Sequence, residues 1–531
     1  MKKYIRQIKF EILFQIIFAI LESAALAALA YLPKLIFDLV TKDSQQATKS
    51  VLMLMMAYVC ISLLAVGASY LEMLFTWRYA IAFENSIKDD YFSAIIQYDD
   101  AAFHQKDISE YVSIQSNDIM QIEQDYLTPI VSAINQIIKI LVFGIVMFIG
   151  IDWRIGLVVM STSLLAALLP RYTGQKTASK RLIFVEKLGA YTNLIYDLFS
   201  GFREITPRTA KNIINENKKA LHQTKTSRYD YGKNKSISLA INRLSRTAVQ
   251  LLGFSMATWL LYRGDISIGT CIATLGFISS FVDPLEEILY CFTTIETVKD
   301  VKNKVFNLLN QPPTQAKIIQ KDFAQKLELR QVSLANGNFS LKDISFTFEK
   351  NKHYGLIGHN GCGKSTLLNT LMGYLPQSSG DIFLDGQPLS QYQKEWLITY
   401  LVQRSHVFST DYYNNITLFD SYRDTSEQLL CQICLSETLI KRLKIQNNSQ
   451  QLSGGEKQIL AYLRARNADT PILLMDEPFS AVDQDTKQKL MKDISTLKDK
   501  TIIMITHDLD ESLAYFDQVI QLNEGQLKLY V

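Results

Sequence analysis

The chain has 531 residues, a formal net charge of +3 and an apolar fraction of 48%. Such a length allows roughly two to four domains and ample core. A charge this close to neutral gives no electrostatic case for a nucleic-acid partner. The averages conceal a division, because long apolar runs occupy the residues before about 300 and the remainder reads as a water-soluble domain.

In chain order, Met1 to Lys9 carries Lys2, Lys3, Arg6 and Lys9. The apolar stretch from Ile12 to Leu32 follows. It is too long for a signal-peptide core and lacks a cleavage site, so it reads as a first membrane helix. Further spans are expected at Val51 to Trp77, Leu127 to Ile149, Ile155 to Pro170, Ile237 to Leu261 and Ile266 to Phe292, six in all. The links from Thr41 to Ser50, Gly150 to Arg154 and Tyr262 to Asp265 are short. The two long links, Arg78 to Tyr126 and Arg171 to Ser236, are richer in Lys and Arg, with Arg171, Lys176, Lys180, Arg181 and Lys187 clustered after the fourth span. By the positive-inside tendency the N-terminus and both long links are cytoplasmic. Their periodicity reads as helical extension of the spans, reversing near Asp99 to Lys106 and near Phe202 to Thr209. Glu22, Glu72, Lys139 and Glu286 fall in or near spans, where ionisable groups are costly and often functional.

Apolar density falls between Lys299 and Lys326, with Pro312-Pro313 as a break. Domains are therefore expected at 1–305 (membrane), 306–326 (linker) and 327–531 (soluble). From Leu327 onward the segments are short. Leu327 to Val332, Ile344 to Phe348 and Tyr354 to Ile357 read as strands. The last runs into Gly358-His359-Asn360-Gly361-Cys362-Gly363-Lys364-Ser365-Thr366, and Leu367 to Met372 reads as a helix. A glycine, four free positions and Gly-Lys-Ser between strand and helix is a phosphate-binding loop. Its backbone can wrap a polyphosphate, and the helix N-terminus aims N–H groups at that charge. In that reading Lys364 reaches the terminal phosphates and Ser365 ligates magnesium. Cys431 and Cys434, whose spacing matches a redox motif, lie in a helical-looking stretch, Ser426 to Leu443, and reduced thiols on a packed face are expected there. The strand Ile472 to Met475 ends in Asp476-Glu477, and Thr501 to Ile505 ends in Thr506-His507-Asp508. Strand ends are where an α/β nucleotide site places its chemistry.

Leu452-Ser453-Gly454-Gly455-Glu456-Lys457-Gln458 lies between the phosphate loop and Asp476-Glu477. It is similar to the signature of ATP-binding cassette (ABC) ATPases. The six spans ahead of it resemble the membrane domain of exporter-type (type IV) ABC half-transporters, with Asn117-Asp118 and Gly201-Phe202-Arg203-Glu204 reminiscent of that family's coupling regions. The resemblance covers nearly the whole chain. It implies a membrane α-helical domain of six transmembrane helices with long cytoplasmic extensions, followed by an α/β P-loop ABC ATPase domain. It also implies ATP and magnesium as cofactors.

Carried onto this chain, the resemblance makes Gly358, Asn360, Gly361, Cys362, Gly363, Lys364, Ser365 and Thr366 the ATP-binding loop. Ser365, Gln403 and Asp476 would hold magnesium. Glu477 would polarise the attacking water, with Gln403 and His507 sensing the γ-phosphate and Asp483 in the D-loop. Ser453, Gly454, Gly455 and Glu456 would act on the site of a second half-transporter. The implied function is ATP-driven transport by alternating access in the plasma membrane, with export of a peptide, drug or lipid-like compound expected. An importer on the same fold, or an ATPase-gated sensor, is the alternative. The chain departs from the family where relatives stack adenine on an aromatic, here near Asn336 with Phe339 close by. The stretch Ile445 to Ser449 lacks the exporter wording, and the interval from Gln403 to Leu452 is short.

Overall fold

The computed structural model describes residues 1–40, 45–310, 318–336, 339–423, 425–445, 449–507, 511–523 and 525–530. The chain divides into two compact units, one of residues 1–94 with 108–311 and one of residues 95–107 with 312–531.

Among the described residues the first unit is almost entirely helical. Its long elements are Lys9–Val40, Gln45–Ile96, the run from Ile108 to Val146 continued by a π turn to Ile151, Trp153–Ser200, Ala210–Tyr262 and Ile268–Thr297. Five of the six expected spans lie inside one of them, and the sixth, Ile266 to Phe292, begins two residues before the helix Ile268–Thr297. Among the described residues four helices are long and apolar enough to cross a membrane: Lys9–Val40, Thr48–Ile96, Ile108–Ile151 and Ile268–Thr297. Trp153–Ala166 is a shorter apolar segment, and the helix that contains Ile237 to Leu261 is polar through its first half. Large apolar side chains such as Leu52, Met53, Met56, Leu63 and Val66 are exposed along the second helix, as a lipid-facing surface requires. The buried core is formed by Phe143, Met147, Ile155, Val159, Phe277 and Phe281.

Polar contacts mark the two ends of this unit. At one end Asp152 caps Trp153–Ser200, accepting from the Arg154 N–H at 2.8 Å, and the Arg154 guanidinium reaches Asp265 at 2.9 Å. The short links expected at 150–154 and 262–265 therefore share that end. At the other, Lys304 pairs with Glu110 at 3.1 Å. There the basic N-terminus folds as a helix, Lys2–Gln7, with Tyr4 buried against Phe83 and Phe306 and donating to Asp90 at 2.7 Å. The reversal after Ile96 holds a short helix, Asp100–Phe103, capped by Asp99, and the second reversal is a 3-10 turn, Phe202–Glu204. The long links are helical extensions, as their periodicity indicated.

The second unit contains two sheets. β1 (Lys326–Asn336), β2 (Phe339–Glu349), β4 (Ser379–Leu384) and β5 (Gln387–Pro388) form an antiparallel sheet in the order β2-β1-β4-β5. β3 (His353–Ile357), β6 (Ile398–Leu401), β7 (Ile472–Asp476), β8 (Thr501–Ile505), β9 (Gln518–Asn523) and β10 (Gln526–Leu529) form the other, ordered β10-β9-β3-β8-β7-β6. β9, β3, β8, β7 and β6 are parallel neighbours, and β10 closes one edge antiparallel. Every residue of β3, β7 and β8 is buried. That explains their unbroken apolar runs, since a central parallel strand is covered on both faces. Five adjacent parallel strands consequently deliver their C-terminal ends to one edge.

Between β6 and β7 lie the helices Tyr412–Thr417, Ser426–Ile433, Glu437–Ile445 and Gly454–Asn467. The expected packed face for Cys431 and Cys434 is not there, because both thiols are exposed. The helix ends at Ile433, and Cys434 takes a left-handed conformation at φ 54°. Leu429, Leu430, Ile433 and Leu435 supply the buried face instead.

Candidate nucleotide site

The strand-end geometry builds the site. β3 ends at Ile357, and Gly358 follows at φ 153°. A Cβ there would stand 2.6 Å from the Leu522 carbonyl oxygen and 2.9 Å from Cys362 Sγ, so only glycine lets the backbone pass. The loop then opens the helix Lys364–Met372 from a left-handed Gly363. The Lys364 ammonium, nearly buried, donates to the carbonyls of Gly358 at 2.7 Å and His359 at 3.1 Å. It is thereby held across the loop it follows.

Asp476 closes β7. The hydroxyls of Ser365 and Tyr400 lie close enough to its carboxyl to favour the charged form. Burial pushes that carboxyl up, the adjacent Glu477 charge adds to the effect, and Ser365, Lys364 and Tyr400 oppose it. Burial, then the Asp476 charge, also raises the Tyr400 phenol. Glu477 stands at φ 46°, a left-handed value uncommon outside glycine and costly to hold. Its side chain turns toward two neighbours: Gln403 Nε2 donates to Oε2 at 3.0 Å, and His507 Nε2 faces Oε1 at 2.6 Å. The residues after β6, β7 and β8 therefore converge on one carboxylate.

The signature segment is organised differently. Ser453 caps Gly454–Asn467 in a reciprocal box, accepting from the Glu456 N–H at 3.3 Å while Glu456 Oε2 accepts from the Ser453 N–H at 2.8 Å. Arg442 pairs with the other oxygen of Glu456 at 2.9 Å. A Cβ on Gly455 would come within 2.5 Å of the Ala481 carbonyl oxygen. Gln458 fastens this helix to the next loop, donating to Ser480 Oγ at 3.0 Å and accepting from the Ala481 N–H at 2.9 Å. Asp483 caps Gln484–Thr496 and accepts from the Thr486 N–H at 3.0 Å, which holds its carboxyl below the usual range. Among the described residues no hydrogen bond or ion pair joins Ser453 to Glu456 with the loop 358–366.

Two contributors escaped sequence reasoning. Tyr400 lies inside an apolar strand with no motif of its own, and its hydroxyl reaches Asp476 only because β6 pairs with β7, Tyr400 opposite Leu474. Gln458 was visible at the end of the signature, but its link to Ser480 and Ala481 depends on the fold. The side chains of Asn336 and Phe339, and residues 446–448, lie outside the described residues.

A strand-loop-helix phosphate site, a capped signature helix and a helical membrane unit in one chain define a membrane-embedded ATPase of the ABC class. Family models agree. Residues 12–285 match the ABC transporter transmembrane region and residues 341–480 match the ABC transporter model. The chain belongs to the ABC transporters. A bacterial Atm1-family ABC exporter solved with ATP bound aligns at TM-score 0.75 over 98% of this chain and 94% of its own, at 17% identity, and shares the fold. The "Probable multidrug resistance ABC transporter ATP-binding/permease protein YheH" of Bacillus subtilis is 29% identical over 281 residues, 50% of this chain and 41% of its own. The chain thus spans about two fifths of that relative. The ATP-dependent lipid A-core flippase of Legionella pneumophila (strain Paris) is 26% identical over 431 residues, 77% of this chain and 71% of its own.

Proposed function

We propose that this chain is one half of a dimeric exporter in the plasma membrane, moving an amphiphilic small molecule, lipid or peptide outward by alternating access. The observation that carries the reading is the pairing of a complete phosphate-loop site with a signature segment that makes no hydrogen bond or ion pair to it among the described residues. A second cassette brought face to face would supply the missing signature to each site. Two relatives support the substrate class by their names, one a lipid A-core flippase and one a multidrug transporter.

The residue roles we assign are those the family resemblance implies, and the geometry is compatible with them. The backbone of residues 358 to 366 and the Lys364 ammonium bind the polyphosphate. The hydroxyl of Ser365, the carboxylate of Asp476 and the amide of Gln403 form a hard-oxygen donor set of the kind magnesium takes, and these residues would hold that ion. Bound there, magnesium would neutralise phosphate charge. Glu477 orients and polarises the attacking water, and His507 positions Glu477 and meets the γ-phosphate. Phosphoryl transfer depends mainly on positioning and charge neutralisation, so dividing the site between two chains ties hydrolysis to their closure. Residues 95–107, grouped with the ATPase unit, and the turn at 202–209 would carry that closure to the membrane helices. The cassette and the N-terminus face the cytoplasm in this reading.

Inside-out vesicles carrying the full chain test it. ATP-dependent accumulation of an amphiphile, abolished by Lys364→Ala, is the expected result. Uptake in whole cells with none in inverted vesicles would reverse the direction. A ligand that stimulates hydrolysis and never crosses the bilayer would make the chain a sensor.

A further inference from the structure

The first unit contains a polar cluster that the ATPase reading does not use. Glu72 lies on the second helix, in the Thr48–Ile96 span. Its Oε1 accepts from two amides on other spans: Gln15 Nε2, and Asn135 Nδ2 at 3.1 Å. Gln15 is fully buried and Asn135 nearly so, while Glu72 is half-buried. With both amide nitrogens committed to Glu72, Gln15 Oε1 and Asn135 Oδ1 are buried acceptors without a hydrogen-bond partner. Each oxygen shares its amide carbon with the bonded nitrogen, so both stay within the cluster. Burying two such acceptors unpaired is unfavourable, and three residues on separate helices do not converge this way by local sequence.

Charge also bears on the cluster. Among the described residues Glu22 and Lys139 lie within electrostatic reach of Glu72. A cation seated at Glu72 would offset the charge of its carboxylate in a segment where uncompensated charge is expensive. The site therefore calls for one positive charge carried by a hydrogen-bond donor. A primary ammonium has three N–H donors, matching Glu72 Oε2, Gln15 Oε1 and Asn135 Oδ1. A quaternary ammonium has none, and no group of three or more His, Cys, Asp or Glu suited to a metal ion occurs among the described residues.

We infer that Glu72, Gln15 and Asn135 bind the primary ammonium group of the transported amphiphile. Glu72 supplies the charge, the two buried amide oxygens supply direction, and the apolar helix faces around them receive the tail. The inference rests on the export reading for the word "transported"; the binding site itself does not.

The test is saturable binding of radiolabelled decylammonium to the full chain in phosphatidylcholine nanodiscs, with empty nanodiscs subtracted. Decyltrimethylammonium, decanol and sodium chloride serve as competitors. Decylammonium is expected to bind at one site per chain, with each competitor weaker by about tenfold or more. Glu72→Gln is expected to weaken binding by about tenfold or more. Glu72→Asp, which keeps the charge, should retain a larger part of the affinity and guards against a folding artefact. Gln15→Leu and Asn135→Leu, which leave the carboxylate in place, should each weaken binding several-fold. Unchanged binding in Glu72→Gln would overturn the site, as would equal binding of all three decyl probes. Displacement by sodium alone at millimolar concentration would make it an alkali-ion site and overturn the ammonium assignment. Selective decylammonium binding without amphiphile transport would leave the site standing and sink the export reading.

Discussion

Two carboxylates, Glu477 in the ATPase and Glu72 in the membrane unit, are held in the same way by different means. Each accepts from two side chains on other elements: Gln403 and His507 in one case, Gln15 and Asn135 in the other. Glu477 is placed by a strand end, at a left-handed backbone position next to two parallel neighbours that deliver their own ends to the same edge. Glu72 sits in mid-helix and meets its partners only through the register of three long helices. A parallel sheet concentrates chemistry at one edge whatever its loops contain. A helical membrane unit can concentrate it anywhere along its length, so each polar group there needs its own reason.

The largest test of that contrast is Glu477→Gln. If strand-end placement of this carboxylate is what hydrolysis uses, steady-state turnover falls by about 100-fold or more while ATP binding persists. Normal turnover in that variant would remove Glu477 from the water-polarising role. Next comes Gly358→Ala. A Cβ 2.6 Å from the Leu522 carbonyl, added to backbone strain of about 1–3 kcal/mol, should weaken ATP binding by about tenfold or more in equilibrium titration, and unaltered affinity would show that the loop relaxes.

Tyr400→Phe asks whether β6 contributes to the site beyond Gln403. Loss of its hydroxyl from Asp476 should raise the magnesium concentration needed for half-maximal hydrolysis by about tenfold, and excess magnesium should restore the rate. A lowered rate that magnesium does not restore would give Tyr400 a different part. Ser453→Ala should cost the signature helix about 1 kcal/mol at its N-terminus, read as faster amide exchange over residues 454 to 457. The smallest effect belongs to Cys431 and Cys434. Both exposed, they should react with a maleimide at once, and their modification should leave hydrolysis unchanged in a chain whose Cys60 and Cys362 have been replaced by serine.

The contrast also explains what could be read from the residues alone. The ATPase site was legible because its parts are short, contiguous and set at strand ends: Gly358 to Thr366, Leu452 to Gln458, Asp476-Glu477 and His507. The membrane helices were legible as apolar lengths, and the reversals at 99–106 and 202–209 as breaks in periodicity. Tyr400 was not, since its contact with Asp476 comes from strand pairing. Glu72 was marked as costly without its partners, because Gln15 and Asn135 are 57 and 63 residues away and their register follows from helix packing. The cysteine pair was misread because one helix was read from Ser426 through Leu443, whereas the helix ends at Ile433 and Cys431 lies on its exposed side.

The central claim is that two of these chains close on two nucleotides. Native mass spectrometry of the Glu477→Gln chain in nanodiscs with ATP and magnesium measures it directly. The account predicts a particle of two chains carrying two ATP molecules, which Gly455→Glu returns to single chains or to dimers without trapped nucleotide. Single chains that each retain ATP, unaffected by Gly455→Glu, would contradict it.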